Sequence, residues 1–473
     1  MSLRRITVPC TPLATTAVSG RLFLWMVATL SVTGILSGDP VAAGEARASK
    51  NAGYRVRPLA DDYVSVYESP DPARVHCGSP GLARCPSGRL VATLDVAGAG
   101  VADLPGVKGR YRTTGHAVQG KVFTSDDRGE TWVHRLDFPF RHARPFVAGR
   151  SLYVLGEDPD LAIVRSDDEG ETWRPTAHLS SNEYWHQAPA NVHFANGSIY
   201  LVMEKLIHDD VDSWPPSVFA PVLMRGNPAA DLTKAENWAF ASELAFRDAI
   251  TSRLDNFGVP FFPMHRTKSY FPAPGRPMAP IGWLETNVVQ FTDPDHYWYD
   301  PRGKTFYLWT RAHTGGTGLA NVAKVVEDEN GEMSTTLATV PSGRKLLFAP
   351  CPGGQMKFHI LYDDATKLFW LLSTQATDSM TRADRLPETR FELPNNERQR
   401  LQLHFSRNCL DWCFAGLVTA GATQSRSRHY ASMVIDGNDL HVLSRSGDER
   451  ANSPHNCNLI TFHTVRNFRE LAY

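Results

Sequence analysis

The chain has no excess of charge of either sign. Its 473 residues include 49 lysines and arginines and 50 aspartates and glutamates, which gives a formal net charge of −1 at pH 7. A protein that attracts nucleic acid through its overall field needs a surplus of positive charge. We therefore predict no nucleic-acid partner, and an acidic ligand would need a local basic pocket.

Several motifs for catalysis and metal binding are also missing. The sequence contains no glycine-rich phosphate loop, no nucleophile elbow and no His-Glu-x-x-His motif. Its seven cysteines include no Cys-x-x-Cys pair, which argues against a structural zinc site. We therefore predict no metal and no cofactor.

Long apolar runs are missing after the first 50 residues. Before that point, residues 22–36 form an uncharged apolar run behind Arg4 and Arg5. The run is short for a membrane span and typical of a signal peptide, and the small residues 41–43 suit a cleavage site. We expect residues 1–43 to be a signal peptide, with an uncleaved anchor as the alternative. The mature chain would then be exported, to the periplasm or outside the cell, without a stable membrane span.

Six cysteines would remain after cleavage. An even number in an exported chain permits disulfides. Cys77 and Cys85, and likewise Cys409 and Cys413, are close enough in sequence to pair. The alternative is that these thiols are free and buried.

Two octapeptides, residues 125–132 and 166–173, are the most informative feature that is present. Both read Ser-x-Asp-x-Gly-x-Thr-Trp and follow a short apolar run. Serine and aspartate can bond nearby backbone N–H groups, glycine accepts a positive φ, and the tryptophan packs on the returning strand. The pattern predicts a hairpin tip, repeated at a spacing that suits one four-stranded propeller blade. Its positions are Ser125, Asp127, Gly129 and Trp132, then Ser166, Asp168, Gly170 and Trp173.

A second repeat, a turn residue followed by a β-rich strand, occurs six times. The strands begin at Leu90, Leu152, Ile199, Phe306, Phe369 and Leu440. The gap between the third and fourth copies is wide enough to contain a seventh, with residues 220–224 as its strand. We predict an all-β fold, a single β-propeller over residues 76–473, seven-bladed or alternatively six-bladed. Residues 44–75 would join this propeller, and we expect a monomer.

The segment from Tyr184 to His193 has residue types suited to acid–base chemistry. Tyr184 and His186 are candidate catalytic groups because a pocket can tune their pKa values. His116, just before the first box strand, is a further candidate. The alternative for each is a structural residue held by hydrogen bonds.

Other candidates lie further along the chain. Arg445 could clamp a substrate carboxylate because a guanidinium is always charged and binds bidentately. Glu285 stands among apolar neighbours and is a candidate carboxylate of the central funnel. Candidate substrate-binding residues are His455, Asn458, Lys357 and His359.

The octapeptides resemble the Asp box of sialidases and related β-propellers, in which the box lies away from the catalytic face. From about residue 84 onward the chain is similar to bacterial sialidase-family proteins. Among characterised relatives it is most similar to the propellers of ulvan lyases and of enzymes that cut rhamnose–glucuronate linkages. That resemblance implies seven blades. The chain differs from the lyases at Trp185, where they have tyrosine, and at Leu201, where they have arginine.

The resemblance implies two mechanisms on acidic oligosaccharides or polysaccharides. A sialidase-like exo-hydrolase would hold a terminal acidic sugar with an arginine cluster and use a tyrosine nucleophile with a carboxylic acid/base. A uronate lyase would neutralise the uronate carboxylate and remove the C5 proton with histidine or tyrosine. A third hypothesis is a glycan-binding propeller without catalysis. The arginine clamp of sialidases does not map onto this sequence, since residues 54–58 match its first motif only faintly.

We predict that His186→Ala abolishes activity on acidic glycans while the fold survives. The measurement is turnover of a panel of acidic polysaccharides, with circular dichroism as the control for folding. Full activity in a folded variant would contradict the assignment of His186.

Overall fold

Apolar runs bounded by turn residues form the strands of this protein. The computed structural model describes residues 56–111, 115–250, 268–274, 276–313, 318–377, 381, 383–385, 387 and 397–473. Among these residues, six antiparallel sheets of four or more strands are arranged as the blades of a β-propeller. We number the blades 1 to 6 in chain order and describe the strands of each from the axis outward.

The first three blades follow one another along the chain. The strands of blade 1 are Gly81–Arg84, Leu90–Ala97, Ala117–Ser125 and Val133–Phe138. The strands of blade 2 are Arg141–Ala148, Ser151–Asp158, Asp160–Ser166 and Ala177–His178. The inner strand of blade 3 is split into two pieces, and the blade consists of Trp185–His186 with His193–Ala195, then Ser198–Leu206, Phe219–Gly226 and Trp238–Phe240.

The last three blades complete the ring. The strands of blade 4 are Gly282–Val289, Thr305–His313, Leu319–Glu327 and Met333–Thr336. The strands of blade 5 are His359–Asp363, Leu368–Thr374, Arg400–Ser406 and Cys413–Ala420. Blade 6 contains Arg428–Asp436, Asp439–Ser446 and Leu459–Val465, and its outer strand is Val64–Glu68. The pairing of this early strand with a late one closes the propeller.

Short elements decorate the blades. The small strands are His76–Cys77, Gly109–Arg110, Tyr270–Ala273, Arg276–Met278, Ala338–Thr339, Lys345–Leu346 and Phe348–Pro350. The one α-helix among the described residues is Phe246–Ala249. Short 3₁₀ helices occur at Ala99–Asp103, Pro216–Val218, Ala235–Asn237, Ala383–Arg385 and Phe468–Leu471.

The prediction of seven blades was wrong, and the alternative of six is confirmed. Each of the six predicted hairpins leads into the second strand of one blade. Residues 220–224 do form a strand, but it belongs to Phe219–Gly226, the third strand of blade 3. The wide gap arises from extra chain between blades 3 and 4, including the Tyr270–Ala273 hairpin, rather than from a further blade.

One hydrophobic cluster fills each of the six interfaces between neighbouring blades. The strand Ser198–Leu206 illustrates how the sequence achieves this. Its side chains alternate, so that Leu201 packs toward blade 2 while Tyr200 and Val202 pack toward blade 4. A strand buried on both faces reads as a continuous apolar run, as this one does.

Hydrogen bonds from polar side chains on the inner strands connect neighbouring blades near the axis. Asn191 donates to the carbonyl of Val288 at 2.7 Å and accepts from its N–H at 2.7 Å, which joins blade 3 to blade 4. Asn287 joins blade 4 to blade 5 through Phe358 O and Ile360 N in the same way. These bonds fix the inner strands relative to one another.

The two octapeptides form the turns between the third and fourth strands of blades 1 and 2. In the first, Ser125 Oγ accepts from Gly129 N at 2.8 Å, and Asp127 accepts from Thr131 N at 2.9 Å. Hydrogen bonds from Thr131 lower the pKa of Asp127 to about 2. The second has the same bonds, from Gly170 N and Thr172 N, at 2.8 and 2.9 Å.

The cysteines are not paired as the sequence suggested. All six described cysteines are free thiols, and all but Cys413 are buried. Cys77 lies opposite Cys457 in a β-bridge rather than beside Cys85. The alternative of buried free thiols therefore describes five of the six.

The predicted signal peptide, residues 1–43, lies outside the described residues. The part of the chain that the structure describes contains no helix with the length and apolar character of a membrane span.

Gly129 and Gly170 offer a matched test of the octapeptide turns. Both have a positive φ, +93° and +94°. A Cβ at position 129 would lie 2.1 Å from the ring of Phe462, whereas at position 170 the nearest atom would be 3.2 Å away on Thr124. We predict that Gly170→Ala lowers the free energy of unfolding by about 1 kcal/mol from backbone strain, and Gly129→Ala by about 2–4 kcal/mol from strain and overpacking.

Urea unfolding of the two variants beside the unmodified protein measures this difference. Equal losses in both variants would contradict the close packing of the first turn against Phe462.

Candidate active site

A cavity of about 530 Å³ opens at one end of the propeller axis. Residues from all six blades line it, because the inner strands and their connecting loops converge there. Its charged side chains are four guanidinium groups and two carboxylates. They are Arg141, Arg311, Arg398 and Arg445, with Asp95 and Glu285. The lining therefore favours an anion. Because the net charge of the chain is near zero, an acidic ligand needs a local basic pocket of this kind.

β-Bulges in the inner strands of blades 2, 4 and 6 direct side chains into this cavity. In each strand the pairing register shifts at the cavity end. The bulged residues are non-glycine residues with positive φ, namely His142 at 50°, Glu285 at 59° and Tyr430 at 53°. Such backbone costs about 1–3 kcal/mol per residue and is concentrated at functional sites.

Glu285, Arg311 and Tyr430 form a buried hydrogen-bonded group at the floor of the cavity. The Tyr430 hydroxyl donates to Glu285 Oε1 at 2.6 Å and accepts from Arg311 Nη1 at 2.7 Å. Arg311 Nη1 also lies 3.2 Å from both carboxylate oxygens of Glu285. Burial alone would lower the pKa of Arg311, but the Glu285 carboxylate and the Tyr430 hydroxyl together outweigh burial and raise that pKa. Burial raises the pKa of Tyr430, and the positive charge of Arg311 opposes the rise.

Three guanidinium groups surround the ring of Tyr430. The guanidinium carbons of Arg311, Arg398 and Arg445 lie 5.9, 5.4 and 5.6 Å from the ring centroid. Their exposed fractions are 4%, 3% and 7%. Burial, together with the neighbouring positive charges, lowers the pKa of Arg398 to about 10, so that it stays charged at neutral pH.

Contacts with the backbone and a histidine hold two of these arginines in place. Arg445 donates to the carbonyl of His455, and its Nε has no hydrogen-bond partner among the described residues. Arg398 Nη1 lies 3.0 Å from His429 Nδ1. Both can therefore direct further N–H groups toward a ligand in the cavity.

Asp95 provides a second carboxylate on the blade 1 side. It is 4% exposed, and its Oδ1 accepts from the backbone N–H of His142 at 3.0 Å. Gly78 permits the close approach, since a Cβ there would lie 2.0 Å from Asp95 Oδ2. Burial raises the pKa of Asp95, which favours its protonated form more than in water.

His142, Glu157 and His186 form a cluster in the cavity wall whose candidate ligand atoms lie within 4.8 Å of one another. Neutral imidazoles and a carboxylate are ligands of zinc in proteins, and burial lowers the pKa of both histidines. Glu157 Oε1 already contacts His142 Nδ1 at 2.7 Å and Arg141 Nε at 3.2 Å. A metal here would have to compete with Arg141 for the Glu157 carboxylate. The absence of a metal stays a prediction.

Five of the residues proposed from the sequence line the cavity. They are His116, His186, Glu285, Arg445 and His455. Glu285 and Arg445 belong to the group around Tyr430, whereas His186 belongs to the wall cluster. Their catalytic and binding roles stay predictions.

Four other proposed residues do not line the cavity. Tyr184 is buried and stacks on Phe219, with 6.3 Å between the two ring centroids. Burial raises the pKa of Tyr184 to about 12. Asn458 bonds to Asp448 within a loop, with Nδ2 to Oδ1 at 3.0 Å.

The other two lie deeper along the axis. Lys357 Nζ donates to the carbonyl of Ala431, and His359 Nδ1 accepts from Met433 N at 2.9 Å.

Sequence reasoning missed Arg311, Arg398 and Tyr430. Arg311 is the one arginine in the largely apolar strand Thr305–His313, whereas Tyr430 lies in Arg428–Asp436 among several other polar residues. A charged residue inside a fully buried strand is the signal that could have identified Arg311. Arg398 carries no such signal, because it precedes its strand in a polar segment.

Comparisons with known proteins give structural likeness only. No family model matches the chain, and no curated protein matches it. Similar solved structures include α-L-arabinanase of Penicillium chrysogenum in complex with arabinobiose, at 11% identity, covering 88% of this chain and 100% of that chain, with a TM-score of 0.47. The Hadza microbial sialidase Hz136 has 15% identity, covers 85% of this chain and 68% of that one, and has a TM-score of 0.49.

A further similar structure is Trypanosoma rangeli sialidase in complex with sialic acid. It has 12% identity and a TM-score of 0.48, and the likeness covers 88% of this chain but 60% of that protein.

Buried histidines make the stability of this protein depend on pH. Burial lowers the pKa of His313, in the cavity wall, to about 3, whereas an unfolded histidine titrates near pH 6.5. Between these values the unfolded state binds more protons, so stability is lost as pH falls below about 6.5. We predict that the free energy of unfolding falls from pH 7 to pH 5, and that His313→Gln reduces this fall by about 2 kcal/mol.

Urea unfolding at the two pH values tests the prediction. His178→Gln, which replaces an exposed histidine, is the matched control and should leave the fall unchanged. An identical pH dependence in His313→Gln and the unmodified protein would contradict a neutral buried His313.

Proposed function

We propose that this protein is a carbohydrate-active enzyme, a retaining exo-glycosidase that removes a terminal acidic sugar. The observation that carries the proposal is the group at the cavity floor. A tyrosine hydroxyl is bonded to a carboxylate, and three buried guanidinium groups lie within 6 Å of its ring. This is the combination of arginine cluster and tyrosine nucleophile that the sialidase resemblance implies.

The arginines are the proposed carboxylate-binding groups. A guanidinium remains charged and offers paired N–H donors that match a carboxylate. Arg398 and Arg445 are nine-tenths buried, and a charge that has left water is stabilised by an opposite charge in contact. A sugar carboxylate would supply that charge and fix the ring over Tyr430.

Tyr430 is the proposed nucleophile. In the first step its oxygen bonds to the anomeric carbon as the glycosidic bond breaks, and Glu285 accepts the phenolic proton across the 2.6 Å hydrogen bond. An initially neutral hydroxyl suits this role because a carboxylate nucleophile would be repelled by the substrate carboxylate. Arg311 stabilises the negative charge that develops on the phenolic oxygen, from 2.7 Å.

Asp95 is the proposed acid/base. Its raised pKa favours a carboxylic acid able to protonate the leaving oxygen. In the second step its carboxylate takes a proton from water, which attacks the anomeric carbon and displaces the Tyr430 oxygen, and Glu285 returns its proton to that oxygen. Two displacements return the sugar with its original anomeric configuration.

A uronate lyase is the second candidate, and His186 favours it. This imidazole lines the same cavity, and burial holds its pKa well below the usual value, so that it is a neutral base at pH 7. A lyase would form an unsaturated uronate with strong ultraviolet absorbance, whereas a hydrolase releases a reducing sugar without it. Binding of acidic glycans without turnover would leave the non-catalytic propeller.

We also propose export of the mature chain, as a monomer. Residues 22–36 and the small residues 41–43 support an amino-terminal signal peptide.

We predict that Tyr430→Phe lowers kcat on an acidic glycoside by about 10³-fold or more, because it removes the nucleophilic oxygen and keeps the ring. Tyr307→Phe is the matched control, since Tyr307 is also buried but lies in the interface between blades 4 and 5. The control should keep full activity. The measurement is release of a chromogenic leaving group, with the product anomer determined by proton NMR.

Unchanged kcat in Tyr430→Phe, or a product of inverted configuration, would contradict the mechanism. If the unmodified protein forms an unsaturated product and Tyr430→Phe loses that activity, the cavity would be assigned to the lyase.

A further inference from the structure

A second cavity lies at the other end of the propeller axis and shares no lining residue with the first. Its volume is about 220 Å³, and it is lined by the inner strands of blades 1, 2, 5 and 6 and by the inner segment of blade 3. The strand Arg141–Ala148 runs from one cavity to the other, with His142 in the first and Arg144 in the second. The mechanism proposed above uses none of its side chains.

Arg144 has an unusual environment in this second cavity. Its exposed fraction is 1%, and its one hydrogen bond runs from Nη2 to the carbonyl of Val202 at 3.1 Å. Nε and Nη1 have no partner among the described residues. Burial lowers the pKa of Arg144 to about 10, which still leaves the guanidinium charged at neutral pH. A buried charge with two unused donors is costly unless an acceptor of opposite charge lies beside it.

His359 contributes a third donor to the same cavity. Its Nδ1 accepts from Met433 N at 2.9 Å and therefore carries no proton. Burial, with the charges of Lys357 and Arg144, holds the pKa of His359 well below its usual value. The neutral ring must then carry its proton on Nε2. That atom is buried and has no partner among the described residues.

One carboxylate acts on these donors from outside the cavity. Glu204 is the carboxylate whose charge acts on Arg144, but it does not line the cavity. Its Oε1 accepts from Thr286 N at 2.9 Å, and its Oε2 has no partner among the described residues. Burial raises the pKa of Glu204 to about 7, so that much of it is neutral at pH 7. Lys357 adds a further amine beside the cavity, bonded to Ala431 O, and burial lowers the pKa of Lys357 to about 7. Arg144 is thus the group that stays fully charged at neutral pH. The local charge is therefore positive.

We propose that the second cavity is a binding site for a small monovalent inorganic anion, with chloride as the chemical type. The anion accepts from Arg144 Nε, Arg144 Nη1 and His359 Nε2. It connects the inner strands of blades 2 and 5 across the axis and neutralises the buried guanidinium. The site is independent of the proposed glycosidase activity.

Thermal unfolding in chloride tests this site. Sodium chloride replaces sodium gluconate at constant sodium concentration, because gluconate is too large an anion to fill the same donor set. A ligand that binds the folded state raises Tm with its concentration, by on the order of 1–2 °C per tenfold increase above the Kd for a protein of this size. Arg144→Met should abolish the chloride dependence. Arg225→Met removes an arginine that is ion-paired with Glu327 at 2.7 Å and, as the matched control, should retain it.

Crystals of the unmodified protein soaked in bromide provide a test that does not depend on any variant folding. An anomalous peak within hydrogen-bonding distance of Arg144 and His359 supports the proposal. A cavity that holds only water in bromide, or a chloride dependence of Tm that is the same in Arg144→Met and in the unmodified protein, would overturn it.

Discussion

The ion pair between Glu285 and Arg311, with the Tyr430 hydroxyl bonded to both, is the interaction on which the candidate active-site cavity depends. Glu285 is 2% exposed and Arg311 4% exposed, so neither charge could be kept there without the other. The same carboxylate orients the tyrosine whose ring the three guanidinium groups surround. Removal of the Glu285 charge would leave the arginines to repel one another in a site with little water to screen them. In the proposed reaction a sugar carboxylate would relieve that repulsion further, which is why the positive cavity supports the proposal of an acidic substrate.

This arrangement exists because the inner strands depart from regular β structure at the cavity. Glu285 and Tyr430 both have positive φ at a bulge, as does His142 in blade 2. The strain is held in place by the apolar clusters between blades and by side-chain bonds such as those of Asn191 and Asn287 to the next inner strand. A rigid ring of blades can maintain unfavourable backbone geometry that an isolated hairpin would relax. The propeller thus acts as the scaffold of the site, and the bulges determine which side chains reach it.

Charge at the propeller axis is distributed between two ends with different chemistry. The first end is wider and contains carboxylates as well as arginines. The second is small, and three N–H groups of its Arg144 and His359 have no partner among the described residues. Both cavities arise for the same reason: the side of each inner strand that faces the axis has no neighbouring blade to pack against. Polar residues there are tolerated only when a ligand, an ion or a neighbouring strand satisfies them.

The sequence alone determined the local structure, because turn chemistry and strand alternation act between near neighbours. Ser125, Asp127 and Gly129 predict their turn, and the six turn-plus-strand copies correspond to the six blades. The blade count was misjudged because a long connection between blades 3 and 4 has the length of a blade, whereas the only strands that its described residues form are those of the two-stranded hairpin of Tyr270–Ala273 and Arg276–Met278. The sequence also identified Glu285, Arg445, His186, His116 and His455 as cavity residues, from their chemical type and position near strand ends.

Only the tertiary structure decided which of these residues meet. Glu285 and Tyr430 are 145 residues apart in sequence, and Arg311 and Tyr430 are 119 apart. Their contact follows from closure of the ring by the pairing of Val64–Glu68 with Leu459–Val465, and from bulges that no local pattern announces. Lys357 and His359 have the right chemistry for a ligand site and yet lie beyond the funnel floor. Distance along the axis is set by strand register across all six blades, and no single segment of sequence contains that information.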